Sequence, residues 1–263
     1  MVCRVLVIVF LFSLVPLKTV AETAAGKIFF TDPNYTLMGF GPRRGDCQLK
    51  FKIGLKYRIF GNERDGNGLY LSYIQHSFWQ PFEESSPFLD NNYKPEIILN
   101  LGVLTRDWGS FVPCSFLSYA HESNGGTEED DRGWDRLIGG IVLRRENDSR
   151  FSGSLSVWKI VSRSPLNYDI SRYAGDGELN LFCKILTRGD ATLLGAGLVS
   201  RFRFGIPAIT RTEISVYYNP FAGRKGQWCW VPFVVAQYYH GTAETLINYR
   251  SFSNVMRVGL AFM

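Results

Sequence analysis

Past its first 21 residues the chain has no apolar run near the roughly 20 residues that a membrane helix needs, so the mature protein does not span a bilayer on helices. It has no Gly-x-Ser-x-Gly elbow, P-loop or His-Glu-x-x-His helix, which argues against a soluble esterase, a nucleotide enzyme and a zinc protease. No Cys-x-x-Cys pair is present, so a structural zinc site is not expected. The excess of positive over negative charge is small too: the formal net charge is +5, two units of it from Arg4 and Lys18 near the N-terminus. The remaining +3, without a basic aromatic motif, gives nucleic acid no purchase. No Pro/Ser-rich linker or charge block divides the chain, so residues 22–263 read as a single domain.

What is present begins with an export signal. Arg4 precedes the run Val5–Phe12, and Thr19-Val20-Ala21 offers small residues for cleavage, so residues 1–21 read as a signal peptide. Pro16, Lys18 and the shortness of the run weaken the alternative, an anchor helix. Of the five cysteines Cys3 leaves with the signal, and Cys47, Cys114, Cys183 and Cys229 stay, widely spaced. Four cysteines admit three disulfide pairings, and buried or lipid-facing thiols are equally compatible with their positions.

Strand-like segments of about ten residues recur through the rest: 48–57, 69–79, 96–105, 110–121, 134–145 and 151–161, then 177–185, 192–201, 212–218, 231–239 and 254–262. In Gln48–Tyr57 polar and apolar side chains alternate strictly. A soluble β-sandwich shows the same period. The export signal, the aromatics near strand ends and a last strand reaching almost to the C-terminus favour an all-β fold, an antiparallel transmembrane β-barrel of the bacterial outer membrane. Such barrels have even strand numbers, so the eleven segments predict twelve strands, with one missed or one segment bent into two.

The chemistry is concentrated in Tyr119-Ala120-His121-Glu122-Ser123-Asn124-Gly125. On a strand, His121 and Ser123 share a face with Leu117 and Tyr119. Gly125-Gly126 and the acidic group Glu128, Glu129, Asp130, Asp131 read as a hairpin loop, and the returning strand carries Asp135, Leu137, Gly139, Ile141 and Leu143 on one parity. Asp135 can thus stand across from His121 and complete a Ser-His-Asp set: nucleophile, base and orienting carboxylate. Taken alone, a His-x-Ser pair in a strand is common by chance. The acidic loop taken alone is a solvated turn as readily as a metal site. His76 and His240 have no serine at matching spacing and read as structural or interior polar residues.

Several motifs in order resemble the bacterial outer-membrane phospholipase A family, from about Asn34-Tyr35 to the C-terminus. They are Gln75–Gln80, Glu84–Phe88 with Asn92–Pro95, the His-x-Ser-Asn-Gly run, Arg132–Leu137, and Leu246–Tyr249. The resemblance implies a twelve-stranded barrel that hydrolyses acyl esters of phospholipids at both glycerol positions, and of lysophospholipids. It implies calcium as cofactor and a homodimer as the active form. His121 and Ser123 match the catalytic pair. Asp135 falls where the best-known members have asparagine, and a carboxylate still accepts the imidazole N–H. The implied calcium ligands are Ser85, acting on the opposite subunit's site, Gly126, where those members have arginine, and Asp131, where they have serine. The carbonyls of Ser85 and Gly126 would serve, and the Asp131 carboxylate is a hard oxygen ligand suited to calcium. Gln75 would be the polar contact between two barrels, with an interior-facing position as the alternative. Two other readings fit less of the chain: a lipid A deacylase barrel, and an inert channel or structural barrel.

Overall fold

The computed structural model describes residues 28–31, 33–39, 48–62, 67–104, 111–145, 150–189, 191–205, 208–223 and 232–262. The expected signal, residues 1–21, and Cys3, Cys47 and Cys229 lie outside them. Cys114 and Cys183 are free thiols. The strands are β1 (Ile28–Phe30), β2 (Asn34–Gly39), β3 (Leu49–Asn62), β4 (Asn67–Trp79), β5 (Phe88–Val103), β6 (Phe111–Ser123) and β7 (Gly133–Arg145). They continue as β8 (Phe151–Arg163), β9 (Gly177–Arg188), β10 (Ala191–Arg203), β11 (Ala208–Tyr218), β12 (Phe233–Gly241) and β13 (Ser253–Phe262).

From β2 onward each strand pairs antiparallel with the next, and β13 returns to β2, so the sheet closes on itself. β1 and β2 pair with consecutive stretches of β3, which makes them one interrupted strand and the barrel a closed cylinder of twelve. The eleven expected segments are all strands, and the twelfth is β2. At the interruption Thr31 N donates to Gly54 O (3.2 Å). The chain crosses so closely that a Cβ on Gly54 would lie 1.8 Å from Thr31 Oγ1.

Side-chain alternation sorts the residues inside out compared with a soluble protein. Ile53, Leu55, Leu71, Leu99, Leu117, Leu137 and Leu155 stand exposed on the outer wall. Lys50, Arg136, Gln237 and Arg257 are buried in the interior. Several interior charges are paired: Lys50 Nζ lies 2.9 Å from Glu213, Arg257 2.6 Å from Glu244, and Arg201 2.7 Å from Glu178. An apolar exterior around an ion-paired interior is the arrangement of a barrel immersed in lipid, where the hydrocarbon supplies the apolar contact that a soluble core would.

One end is closed by its own connections. Trp134, Ile170, Ala174, Leu246 and Tyr249 form a buried apolar cluster between the segment after β8 and the segment after β12. The Tyr249 hydroxyl donates to the Asp169 carboxylate, and Arg250 Nη2 reaches the same carboxylate at 2.9 Å. This is also the end at which β6 delivers its last residues.

Candidate active site

Strand β6 places His121 and Ser123 on the outer wall, continuing the face of Leu117 and Tyr119, both close to half exposed. Glu122, between them, points inward and pairs with Arg136. The β6–β7 register sets His121 opposite Asp135 and Ser123 opposite Gly133. The predicted hairpin therefore forms in the predicted register.

His121 Nδ1 lies 2.8 Å from Asp135 Oδ1. A carboxylate oxygen accepts, so Nδ1 is the donor of this bond, and the neutral imidazole tautomer that fits it presents its lone pair at Nε2. The side chains are 45% and 21% exposed respectively, so the pair opens onto the outer surface rather than the lumen. The Tyr119 phenol also interacts with the Asp135 carboxylate, a contact that sequence reasoning missed. Ser123, His121 and Asp135 line one open cleft with Gly125, Asp131, Gly133, Trp134, Ser162, Arg163 and Ser164. Gly133 keeps that cleft open: a Cβ there would lie 3.4 Å from Ser123 Cβ and 4.0 Å from His121 Cε1.

The loop between β6 and β7 is buckled by one side chain. Asn124 Nδ2 donates to Asp130 O (2.8 Å), while its Oδ1 accepts from Gly126 N (3.2 Å) and Arg132 N (2.9 Å). Arg132 Nη1 donates to the carbonyls of Glu129 and Asp131. The chain folds so tightly that a Cβ on Gly126 would meet Asp130 O at 2.5 Å, so any side chain there requires the loop to shift. This brings Gly126 against Asp130 and Asp131, and Asp131 to the edge of the cleft. The β8–β9 segment braces it: Ser164 N donates to Gly133 O (2.8 Å), and buried Asn167 adds Nδ2 to the same carbonyl (3.2 Å).

Among the described residues no three His, Cys, Asp or Glu side chains converge as a metal cluster. Glu128, Glu129 and Asp130 are exposed on a short 3-10 turn. A hard cation at this cleft would thus be held by Asp131 together with main-chain oxygens, a donor set that suits calcium rather than zinc. Ser85 does not join them. It sits in the β4–β5 turn with φ 63°, and Ser86 beside it has φ 45°. Trp79 Nε1 donates to Ser86 O (2.8 Å), which fixes the turn.

Gln75 lies on the outer wall with Leu71 and Tyr73, so the interior alternative is set aside. Tyr73 Oη donates to Gln75 Oε1 (3.0 Å), and Gln75 Nε2 donates to Ser77 Oγ (2.9 Å). His240 faces outward as well, stacked with Tyr238 and edge-on to Phe252, which corrects the expectation of an interior residue.

The family model for phospholipase A1 matches residues 32–262. The chain belongs to the phospholipase A1 family. Its relatives in that family include phospholipase A1 of Escherichia coli K12, 27% identical over 226 residues that cover 82% of this chain and 69% of the relative. The Klebsiella pneumoniae enzyme is 26% identical over 82% of this chain and 70% of its own. In fold, the chain is similar to outer membrane phospholipase A from E. coli, with TM-score 0.73 and 21% identity over 90% of this chain and 91% of that one. It is also similar to the Salmonella typhi outer membrane phospholipase dimer with bound calcium, with TM-score 0.74 and 20% identity over 94% and 96% of the two chains.

Proposed function

We propose that this family member is a calcium-dependent phospholipase of the bacterial outer membrane, exported by a cleaved signal over residues 1–21 and active as a homodimer. The observation that carries the proposal is the His121–Asp135 pair beside Ser123 on the lipid-facing wall of a closed barrel. A base aimed outward has acyl esters as its nearest reactive neighbours, whereas a transport function has no use for an imidazole–carboxylate pair on the outer wall.

In the reaction Ser123 Oγ attacks the acyl carbonyl as its proton passes to His121 Nε2. Asp135 holds the ring orientation and stabilises the imidazolium that forms. Collapse expels the glycerol oxygen, which takes the proton from His121, and leaves an acyl-serine. Water, activated by the same imidazole, then releases the fatty acid and restores the serine. Such a site is indifferent to which glycerol oxygen leaves, so both ester positions and lysophospholipids are substrates. A calcium ion held by Asp131 and the Gly126 carbonyl, with Ser85 contributed by a second copy, would supply positive charge where the oxyanion develops. The second copy docks along the outer wall that bears Gln75, whose amide exchanges hydrogen bonds with its counterpart in place of those to Tyr73 and Ser77.

The test is fatty-acid release from phosphatidylcholine by the full chain refolded in detergent. Wild type turns over only with calcium; Ser123→Ala and His121→Ala lose about 10³-fold or more while keeping heat-modifiable migration. Turnover undiminished in Ser123→Ala would end this account.

A further inference from the structure

The outer wall carries a second kind of polar group beside the cleft. Along β8, Leu155, Val157 and Val161 point outward, and Lys159 stands exposed among them, opposite exposed Leu137 of β7. Arg163 ends the same strand, is exposed, and lines the cleft with Ser123, His121 and Asp131. Between them the β7–β8 ladder shifts register, so that Asp135 pairs with Ser162 and Arg136 with Ile160. The extra residue shortens the climb from Lys159 to Arg163, which spans roughly 10 Å along the strand.

Among the described residues neither Lys159 nor Arg163 has a side-chain hydrogen-bond or ion-pair partner, whereas the inward-facing cations Lys50, Arg136, Arg201, Arg211 and Arg257 each have one. An unpaired cation on a lipid-facing wall is costly unless its stem carries the charge up to an anionic layer. The phosphodiester of a glycerophospholipid supplies that layer, and it lies only a few bonds from either ester carbonyl. An ester presented to Ser123 therefore brings its own phosphate alongside β8.

Resting on the phospholipase reading above, we propose that Lys159 and Arg163 form an anchor for the phosphodiester of the lipid being cleaved. They set a preference for phosphate-bearing amphiphiles over neutral esters with the same acyl chains. Arg163 meets the phosphate oxygens through its planar fork at the cleft, and Lys159 reaches up past Val161 from below as a point charge. Head groups beyond the phosphate are not contacted by this pair, so choline, ethanolamine and glycerol esters are treated alike.

The test compares phosphatidylcholine with diacylglycerol of identical chains, both in the same non-ionic micelles at saturating calcium, for wild type, Lys159→Gln, Arg163→Gln and the double variant. The ratio of kcat/KM for phospholipid over neutral ester falls about tenfold in the double variant, through KM, and Lys159→Arg retains it. Added dodecylphosphocholine raises KM for phosphatidylcholine more in wild type than in the double variant, and inorganic phosphate does not. An unmoved ratio, whether both substrates suffer equally or neither does, overturns the anchor, and equal competition by inorganic phosphate overturns its lipid specificity. Wild type that cleaves both esters with an unmoved ratio sinks the anchor alone; wild type that cleaves neither sinks the phospholipase reading with it.

Discussion

At position 135 the chemistry turns on which atom faces the imidazole. A carboxylate presents an acceptor from either oxygen, so His121 Nδ1–H is bound whatever the rotamer. An amide must present its oxygen, and here the Tyr119 phenol offers the amide nitrogen somewhere else to donate. Asp135→Asn is therefore expected to keep kcat within about tenfold of wild type, and Asp135→Ala to lose about 10²-fold or more, measured as fatty-acid release from phosphatidylcholine. Equal loss in the two variants would make the residue a structural post rather than an orienter. The His121–Asp135 pairing was legible in the sequence because a period of two and a glycine-rich turn determine who stands opposite whom. The Tyr119 contact was not, because it runs diagonally between rungs. Ser162 as the partner of Asp135 was not either, because the bulge that puts it there leaves no mark in β8's alternation.

Among the elements, the loop between β6 and β7 owes its shape to Asn124, which spans Asp130, Gly126 and Arg132 at once. Removing that amide frees several main-chain groups and lets Asp131 drift from the cleft. Asn124→Ala is expected to raise the calcium concentration for half-maximal activity by about tenfold or more, with the barrel's heat-modifiable migration unchanged. An unshifted calcium curve would detach the loop from metal binding. Strand positions are legible in the sequence where alternation runs long and are hidden where it is brief. β2 has six residues, too short for its period to stand out beside Pro33. β5 begins at Phe88, well before the expected start at Glu96, because Pro95 and the adjoining asparagines look like breakers. On one side β4 pairs straight through Pro95; on the other the β5–β6 ladder skips from Tyr93 to Glu96, where a missing N–H costs no bond.

Across the whole molecule, the closed end depends on ionisation. Hydrogen bonds from Arg250 and Tyr249 hold the Asp169 carboxyl below its ordinary value, so its contribution is present above about pH 4 and is lost as pH falls through the lowered value. Burial first, then Asp169, pushes the Tyr249 phenol up to about 12; that contribution is present below about pH 10 and is lost as pH rises through 12. Protease resistance of the segments after β8 and β12 is therefore expected to be greatest between about pH 4 and 10. Asp169→Asn should flatten the acid limb, and a wild-type profile without that limb would remove the clasp from the account. On the proposed reading Ser123 is a nucleophile that faces the bilayer from the outer wall. A cleft there receives its substrate class by lateral diffusion within the bilayer, so exclusion from water does not restrain it. On that reading restraint falls to the completeness of the catalytic assembly, so added calcium, rather than added lipid, is expected to set the rate on a fixed lipid surface.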